Sequence, residues 1–236
     1  MNEGLYKTIQ FKQPNYIGDP INAVKIFNEK EADELVVLDI TASRENKGIN
    51  YSKISEIAGE AFMPMGYGGG VKSLDDAKKV FDAGYEKIII NTAANENPDL
   101  LGKIASVYGS QSVVVSIDAK LNWLGKYQVY INDGTKKINR SAAQVALAAQ
   151  EAGAGEIFIN AIHKDGTWEG YDEALIKKVA DAVTVPVIAC GGAGCLEDFK
   201  RAVTAGASAV AAGSLFVYQK KGMGVLISFP SSALMV

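Results

Sequence analysis

A chain of 236 residues, 48% of them hydrophobic and 22% charged, has a globular composition with enough apolar material for one good-sized core or two small ones. A net charge of −3, from 24 basic against 27 acidic residues with no basic run, argues against a nucleic-acid partner, and no apolar run reaches the roughly 18 residues that span a bilayer. Two cysteines (Cys190, Cys195) make no secreted disulfide framework, one histidine (His163) leaves no zinc-like spacing, and no signal peptide precedes the fold, so a cytoplasmic chain without metal or cofactor is expected.

In chain order, GLYK (4–7) precedes the amphipathic DPINAVKIFNEKEA (19–32) and then the apolar run LVVLDI (35–40). FMPMGYG (62–68) is followed by the glycine-led, helix-patterned SLDDAKKVFDAG (73–84) and by KIIIN (87–91). SVVVSID (112–118) leads to RSAAQVALAAQEAG (140–153), and EIFINAI (156–162) to EALIKKVADAV (173–183). VPVIACG (185–191), CLEDFKRAVTAG (195–206) and AVAAGS (209–214) complete the order. Most apolar runs are continuous rather than alternating, as in parallel strands covered on both faces, and several helical patterns stop at Gly. This β-α rhythm without a Pro/Ser-rich linker fits right-handed βαβ units, hence a TIM barrel or a doubly wound sheet.

An internal repeat chooses between them. A shift of 122 positions lays Gly69-Gly70 on Gly191-Gly192, Asp76 on Asp198, Ala83-Gly84 on Ala205-Gly206 and Glu34 on Glu156. One offset serving such separated segments indicates two homologous halves, and four β-α units per half close into an eight-stranded barrel. The expectation is therefore an α/β chain, a (β/α)8 TIM barrel built from two half-barrel repeats. It forms a single domain over 1–236, with halves at about 1–107 and 108–236. The same offset carries SVVVSID to positions before Met1, and GKYQ (125–128) resembles GLYK (4–7). Seven parallel strands are thus expected where symmetry asks for eight. Their flanks form an open seam or a gap filled by another segment.

Working groups of such barrels sit at the C-terminal ends of strands. Gly68-Gly69-Gly70 and Asn91-Thr92 fall there in one half, Gly191-Gly192 and Gly213-Ser214 in the other. Glycines let backbone N–H groups approach an anion, and a following helix start adds a favourable dipole, so each pair reads as a phosphate cradle. The plainer alternative is glycine needed only for tight turns. Two cradles half a barrel apart suit an elongated substrate with a phosphate at each end. Asp118 ends its apolar strand where burial raises a carboxyl into the range useful for proton transfer; the alternative is a loop cap. Asp39 holds the same position on its strand, and substrate contact and structural hydrogen bonding stay open for it. Asp165-Gly166-Thr167 caps a loop or adds donors to the second phosphate. Lys7 can reach over the mouth from the first loop, although a lone lysine is more often solvated. His163 reads as a loop residue, not a general base, and Trp123 and Trp168 as lid aromatics or loop packing.

With these residues in place, ADELVVLDITAS, GYGGGVKS, KIIINTAA, GSQSVVVSIDAK, AGAGEIFINAIHKDGTWEGYD, VIACGGAG and VAAGSLF resemble the imidazole glycerol phosphate synthase cyclase family, histidine-biosynthesis TIM barrels. The resemblance implies ammonia supplied by a glutaminase subunit at the barrel bottom. It also implies a bisphosphorylated ribulosyl-aminoimidazole carboxamide nucleotide as substrate, converted to imidazole glycerol phosphate and an aminoimidazole carboxamide ribonucleotide. By resemblance Asp118 is a general acid/base and Lys7 the mobile first-loop lysine. One phosphate lies on Gly70, Asn91 and Thr92, the other on Asp165, Gly166, Gly192, Gly213 and Ser214. Glu34, Lys87 and Glu156 match a charged gate at the ammonia entrance; unaided, they read as solvated charges at strand starts. The family's second catalytic aspartate and the gate's arginine belong to a first strand that is not in this chain. NYIGDPINAVKIFNEKEADELVVLDI and INDGTKK look more like a paralogous branch associated with acetamidino modification of surface-polysaccharide sugars, in which the barrel delivers ammonia and cyclase activity is lost.

Overall fold

The structure, a computed structural model, describes residues 4–42, 45 and 47–230. Its elements begin with a hairpin, β1 (Leu5–Ile9) and β2 (Lys12–Gly18), followed by α1 (Pro20–Glu29), β3 (Leu35–Leu38), α2 (Tyr51–Ala58), β4 (Met65–Gly68), α3 (Leu74–Asp82) and β5 (Lys87–Ile90). Then come α4 (Thr92–Glu96), α5 (Asp99–Tyr108), β6 (Val113–Leu121), a second hairpin of β7 (Tyr127–Ile131) and β8 (Lys136–Ile138), α6 (Ala142–Glu151) and β9 (Glu156–Ala161). The last elements are α7 (Glu173–Ala180), β10 (Val187–Cys190), α8 (Leu196–Thr204), β11 (Ala209–Ala211) and α9 (Ser214–Val217).

All seven apolar runs are parallel strands of one sheet, in the order β11-β10-β9-β6-β5-β4-β3, curled into an α/β TIM-barrel fold. Their side chains alternate between two apolar layers. Val115, Ile117, Ile157 and Ile159 point outward into the core beneath the helices. Ile89, Val114 and Phe158 point inward, with Val36, Ile188, Cys190 and Ala211 packed around them. Several helices start at side-chain caps: Asp19 Oδ1 accepts from Asn22 N at 3.0 Å, and Ser141 and Gln144 form a reciprocal capping box. Among the described residues no helix is long and apolar enough to cross a membrane.

Among the described residues β3 and β11 are the two sheet edges, and no strand joins them. The segment after α9 lies across this seam as irregular chain. Ile227 and Phe229 share a cluster with Phe216 and Val217 beyond β11 and with Phe27 and Leu35 beside β3, and Ser228 N donates to Phe216 O at 2.8 Å. Further up, Leu38 is 45% exposed, so the gap is filled in part and open in part. No helix follows α9 among the described residues; the last six residues lie outside them.

The repeat recurs in three dimensions. β1 and β7 are offset by the same 122 positions, and so are the turns that follow them. Gln10 and Phe11 (φ 53° and 61°) match Asn132 and Asp133 (φ 55° and 56°), a double left-handed geometry typical of tight hairpins. Asn and Asp tolerate it; Gln and Phe do so at a cost. The glycine loops repeat as well. Asp76 Oδ2 accepts from Lys72 N at 3.1 Å and from the Ser73 hydroxyl at 2.8 Å; Asp198 Oδ2 accepts from Gly194 N at 2.7 Å and Cys195 N at 3.0 Å. In each half one carboxylate ties the glycine loop to the start of the next helix.

Candidate functional site

The mouth is assembled from strand ends and the two hairpin tips, which both dip towards it. Asp118, buried to 8% exposure, lies on β6 opposite Asn160 on β9 and accepts from Asn91 Nδ2 at 2.9 Å. Burial is the main force on this carboxyl, and the negative charges of Asp133 and Asp165 add to it against a lowering hydrogen bond from Ser116; together they push its pKa up to about 7. A carboxyl so placed holds or releases a proton near neutrality. Asp133, on the β7–β8 tip, was not singled out from the sequence. The signal was available in the repeat, which maps it onto a hairpin turn leaning over the mouth.

Lys7 is delivered to the second cradle and not to Asp118. Its Nζ meets Asp165 Oδ1 at 2.7 Å, and its stem passes so close to Gly213 that a Cβ there would lie 3.0 Å from Lys7 Cε. The rest of the tip is fastened to the same loop: Thr8 Oγ1 donates to Asp165 Oδ2 at 3.3 Å, Gln10 N to Asp165 O at 3.0 Å and Gln10 Nε2 to His163 O at 2.8 Å. Asp165, Gly166, Gly191, Gly192, Gly213 and Ser214 line a small hollow beneath Lys7. Gly192 has φ 112°, and a Cβ there would collide with the carbonyl of Gly170, whose own N–H donates to Gly192 O at 2.9 Å. Gly192→Ala combines a left-handed penalty with a clash against backbone, and is expected to destabilise the fold by more than about 2 kcal/mol and to abolish inorganic-phosphate binding at this end. Urea unfolding and phosphate calorimetry check it; a wild-type midpoint with phosphate binding intact refutes it.

The first cradle is differently engaged. Gly70, at φ 75°, makes its turn beside Ala42 and Ile49, while Asn91 is turned to Asp118 and the Thr92 hydroxyl accepts from Asn132 N at 3.0 Å, holding the second tip. Asp39 spends Oδ1 on its own loop, accepting from Thr41 N at 2.9 Å, Thr41 Oγ1 at 3.0 Å and Ala42 N at 3.1 Å. At the opposite end of the barrel Glu34, Lys87 and Glu156 come together. Lys87 Nζ lies 2.9 Å from Glu34 Oε2 and 2.9 Å from Glu156 Oε1. Burial opposes the lysine's charge, but hydrogen bonds to Glu156 and Glu34 outweigh it and raise its pKa. These are mutually paired groups, not separately solvated charges.

A buried carboxyl thus lies between two glycine loops, with a paired charged cluster at the other end of the barrel. The model of the histidine biosynthesis protein family matches residues 4–222. The chain belongs to that family. It is 53% identical to imidazole glycerol phosphate synthase subunit hisF2, as that protein of Pseudomonas aeruginosa is named, over 97% of this chain and 92% of the relative. It is 50% identical to a subunit HisF of Leptospira interrogans, over 97% and 91%, and 44% identical to the subunit HisF of Pyrobaculum aerophilum, over 90% and 84%.

Within this family member His163 is a structural residue: Nε2 faces Asp172 Oδ2 at 2.9 Å, Nδ1 accepts from Leu121 N at 3.3 Å, and Tyr127 OH donates to Asp172 Oδ1 at 2.7 Å. The cluster braces the β9–α7 loop that carries Asp165. Trp123, at the β6–β7 turn, is 90% exposed and so is not packed into a loop. Trp168 has φ 65°, and its backbone carbonyl lies 2.5 Å from where a Cβ on Gly194 would sit, so the chain at Trp168 is packed against the glycine loop. Burial pushes the Cys190 thiol up to about 12, so it is no nucleophile at neutral pH.

Proposed function

We propose that the chain is the cyclase subunit of an imidazole glycerol phosphate synthase, a lyase of histidine biosynthesis that takes ammonia from a glutaminase subunit. Its substrate is the bisphosphorylated ribulosyl-aminoimidazole carboxamide nucleotide, and its products are imidazole glycerol phosphate and an aminoimidazole carboxamide ribonucleotide. The observation that carries this reading is Asp118, buried between the two cradles with its pKa near 7. Asp118 moves the protons of ring closure and of release of the second product. Gly70, Asn91 and Thr92 receive one phosphate; Asp165, Gly166, Gly192, Gly213 and Ser214 receive the other, with Lys7 closing over it. Glu34, Lys87 and Glu156 line the ammonia entrance where the glutaminase docks, forming a heterodimer. Asp39 shapes the loop beneath the substrate and keeps only Oδ2 for contact.

The test is cyclisation of the bisphosphorylated nucleotide by the purified chain with ammonium salt and no partner. Turnover supports the reading; its absence under conditions where inorganic phosphate binds sinks it. A second reading, an ammonia-delivering barrel for acetamidino modification of surface-polysaccharide sugars, is favoured by one observation. The stretches NYIGDPINAVKIFNEKEADELVVLDI and INDGTKK resemble that branch more than the histidine-pathway enzyme. On that reading the chain binds a glutaminase at its bottom face and cyclises nothing.

A further inference from the structure

Three neighbouring strands place Asn91, Asp118 and Asn160 in one row at the top of the barrel interior. Asp118 and Asn160 are register partners, and Asn91 follows Ile90, whose partner Val115 lies three residues before Asp118. Asn160, like Asp118, is 8% exposed. Asn91 uses its NH₂ on Asp118, so its carbonyl is the free end of the amide. That Oδ1 and the Oδ1 of Asn160 are both buried without a hydrogen-bond partner among the described residues. Gly191 closes off one side: a Cβ there would lie 2.8 Å from Asn160 Oδ1, so the glycine makes room for the amide and brings no side-chain donor to it. Buried acceptors normally find donors, and two of them beside one carboxyl call for a ligand rich in N–H bonds and poor in acceptors. Below the row the inward side chains Ile89, Val114 and Phe158 give such a ligand no partner.

We infer that Asn91 Oδ1, Asn160 Oδ1 and the Asp118 carboxyl form a holding site for ammonia, taken up as ammonium or as ammonia. Three acceptors match three N–H bonds, and of the two amide NH₂ groups on the row that of Asn91 is already turned to Asp118. The inference deepens the proposed function by giving the incoming nitrogen a station. It makes Asn160, a residue with no role in the cradles or the gate, the one that selects for nitrogen.

The experiment reads the site without turnover. Asp118 is titrated by carboxyl NMR in the full chain, in ammonium chloride and in tetramethylammonium chloride of equal ionic strength. The second cation carries no N–H. The charged groups facing Asp118, namely Asp133 from the β7–β8 tip and Asp165 with its partner Lys7 from the β9–α7 side, are the same in both salts. A cation held against the carboxylate favours its ionised form, so ammonium should lower the Asp118 midpoint by about half a unit or more relative to tetramethylammonium. Asn160→Leu should lose the difference and Asn160→Ser, which keeps an acceptor, should restore part of it. Equal wild-type midpoints in the two salts overturn the inference, whether or not either variant folds. A shift with formamidinium but not ammonium also overturns it, by assigning the row to a substrate N–C–N group. An ammonium shift in a chain that cyclises nothing leaves the holding site standing and removes the cyclase reading, so the two fail separately.

Discussion

Asp118→Asn is expected to cut ammonium-dependent cyclisation by about 10²- to 10⁴-fold, the range for losing one positioned acid/base group. The amide has the carboxyl's size and still accepts from Asn91 Nδ2, but it transfers no proton. The second cradle lies elsewhere and Asn91 of the first keeps an acceptor in the amide, so binding of the bisphosphorylated substrate should stay close to wild type. Steady-state turnover with ammonium salt, set beside calorimetric binding, decides the matter. A variant within about tenfold of wild type would show that the proton passes through another group. The same variant should be more stable than wild type in alkali. The folded carboxyl, near pH 7, lies above its ordinary value of 3.8, so between those pH values the unfolded chain gives up a proton that the folded chain keeps. Stability therefore falls as pH rises through this window, and the cost is complete above it. At about 1.4 kcal/mol per unit, removing the carboxyl should gain on the order of 4 kcal/mol at pH 8 and almost nothing near pH 4. Urea unfolding at the two pH values measures the difference.

Lys87→Met is the second large effect. It leaves Glu34 and Glu156 facing each other without the cation that lies 2.9 Å from each. Removing one partner of a fully buried ion pair costs about 3–5 kcal/mol; Lys87 keeps 22% exposure, and the cost here should be nearer 1–3 kcal/mol. The functional effect is larger and selective. Glutamine-driven turnover with the glutaminase should drop at least about tenfold, a loss of some 1.4 kcal/mol in transition-state stabilisation, while turnover driven by ammonium salt is retained. Equal losses with both nitrogen sources would place Lys87 in folding alone.

The parallel strands were legible because burial on both faces leaves a continuous apolar run, and their exact neighbours follow from short right-handed crossovers. Their ends were less so. LVVLDI makes one more bond to β4 past Leu38, from Asp39 N to Gly68 O at 2.7 Å, before the Asp39 carboxylate takes the N–H groups of Thr41 and Ala42 and turns the chain. FMPMGYG starts at Met65 and not at Phe62, since Phe62 N is taken by Asn28 Oδ1 and Pro64 has no N–H to give. SVVVSID runs on to Leu121 because β7 returns along it. In the site, the glycines and Asp118 announced themselves by position at strand ends. The companions of Asp118 did not: Asp133 acts from a turn, and Asn160 matters through a carbonyl left unpartnered, a property no single letter carries. The Asp172–His163–Tyr127 brace joins residues up to 45 positions apart and leaves no periodic trace.

The two hairpin tips touch. Phe11 packs over Gly134 of the other turn, where an added Cβ would lie 3.0 Å from its ring, and each tip is tied down at a different cradle, one on Asp165 and one on Thr92. This contact sets a limit on exchanging the halves as modules. A copy of the first half inserted as the second would bring Lys12 to the place of Gly134 and Phe11 to the place of Asp133. Two bulky tips would then compete for one gap, and the mouth would lose the Asp133 carboxylate. The halves share an ancestry-like offset along the backbone, yet at the centre of the mouth they have become a lock and its key, and neither can be cast twice.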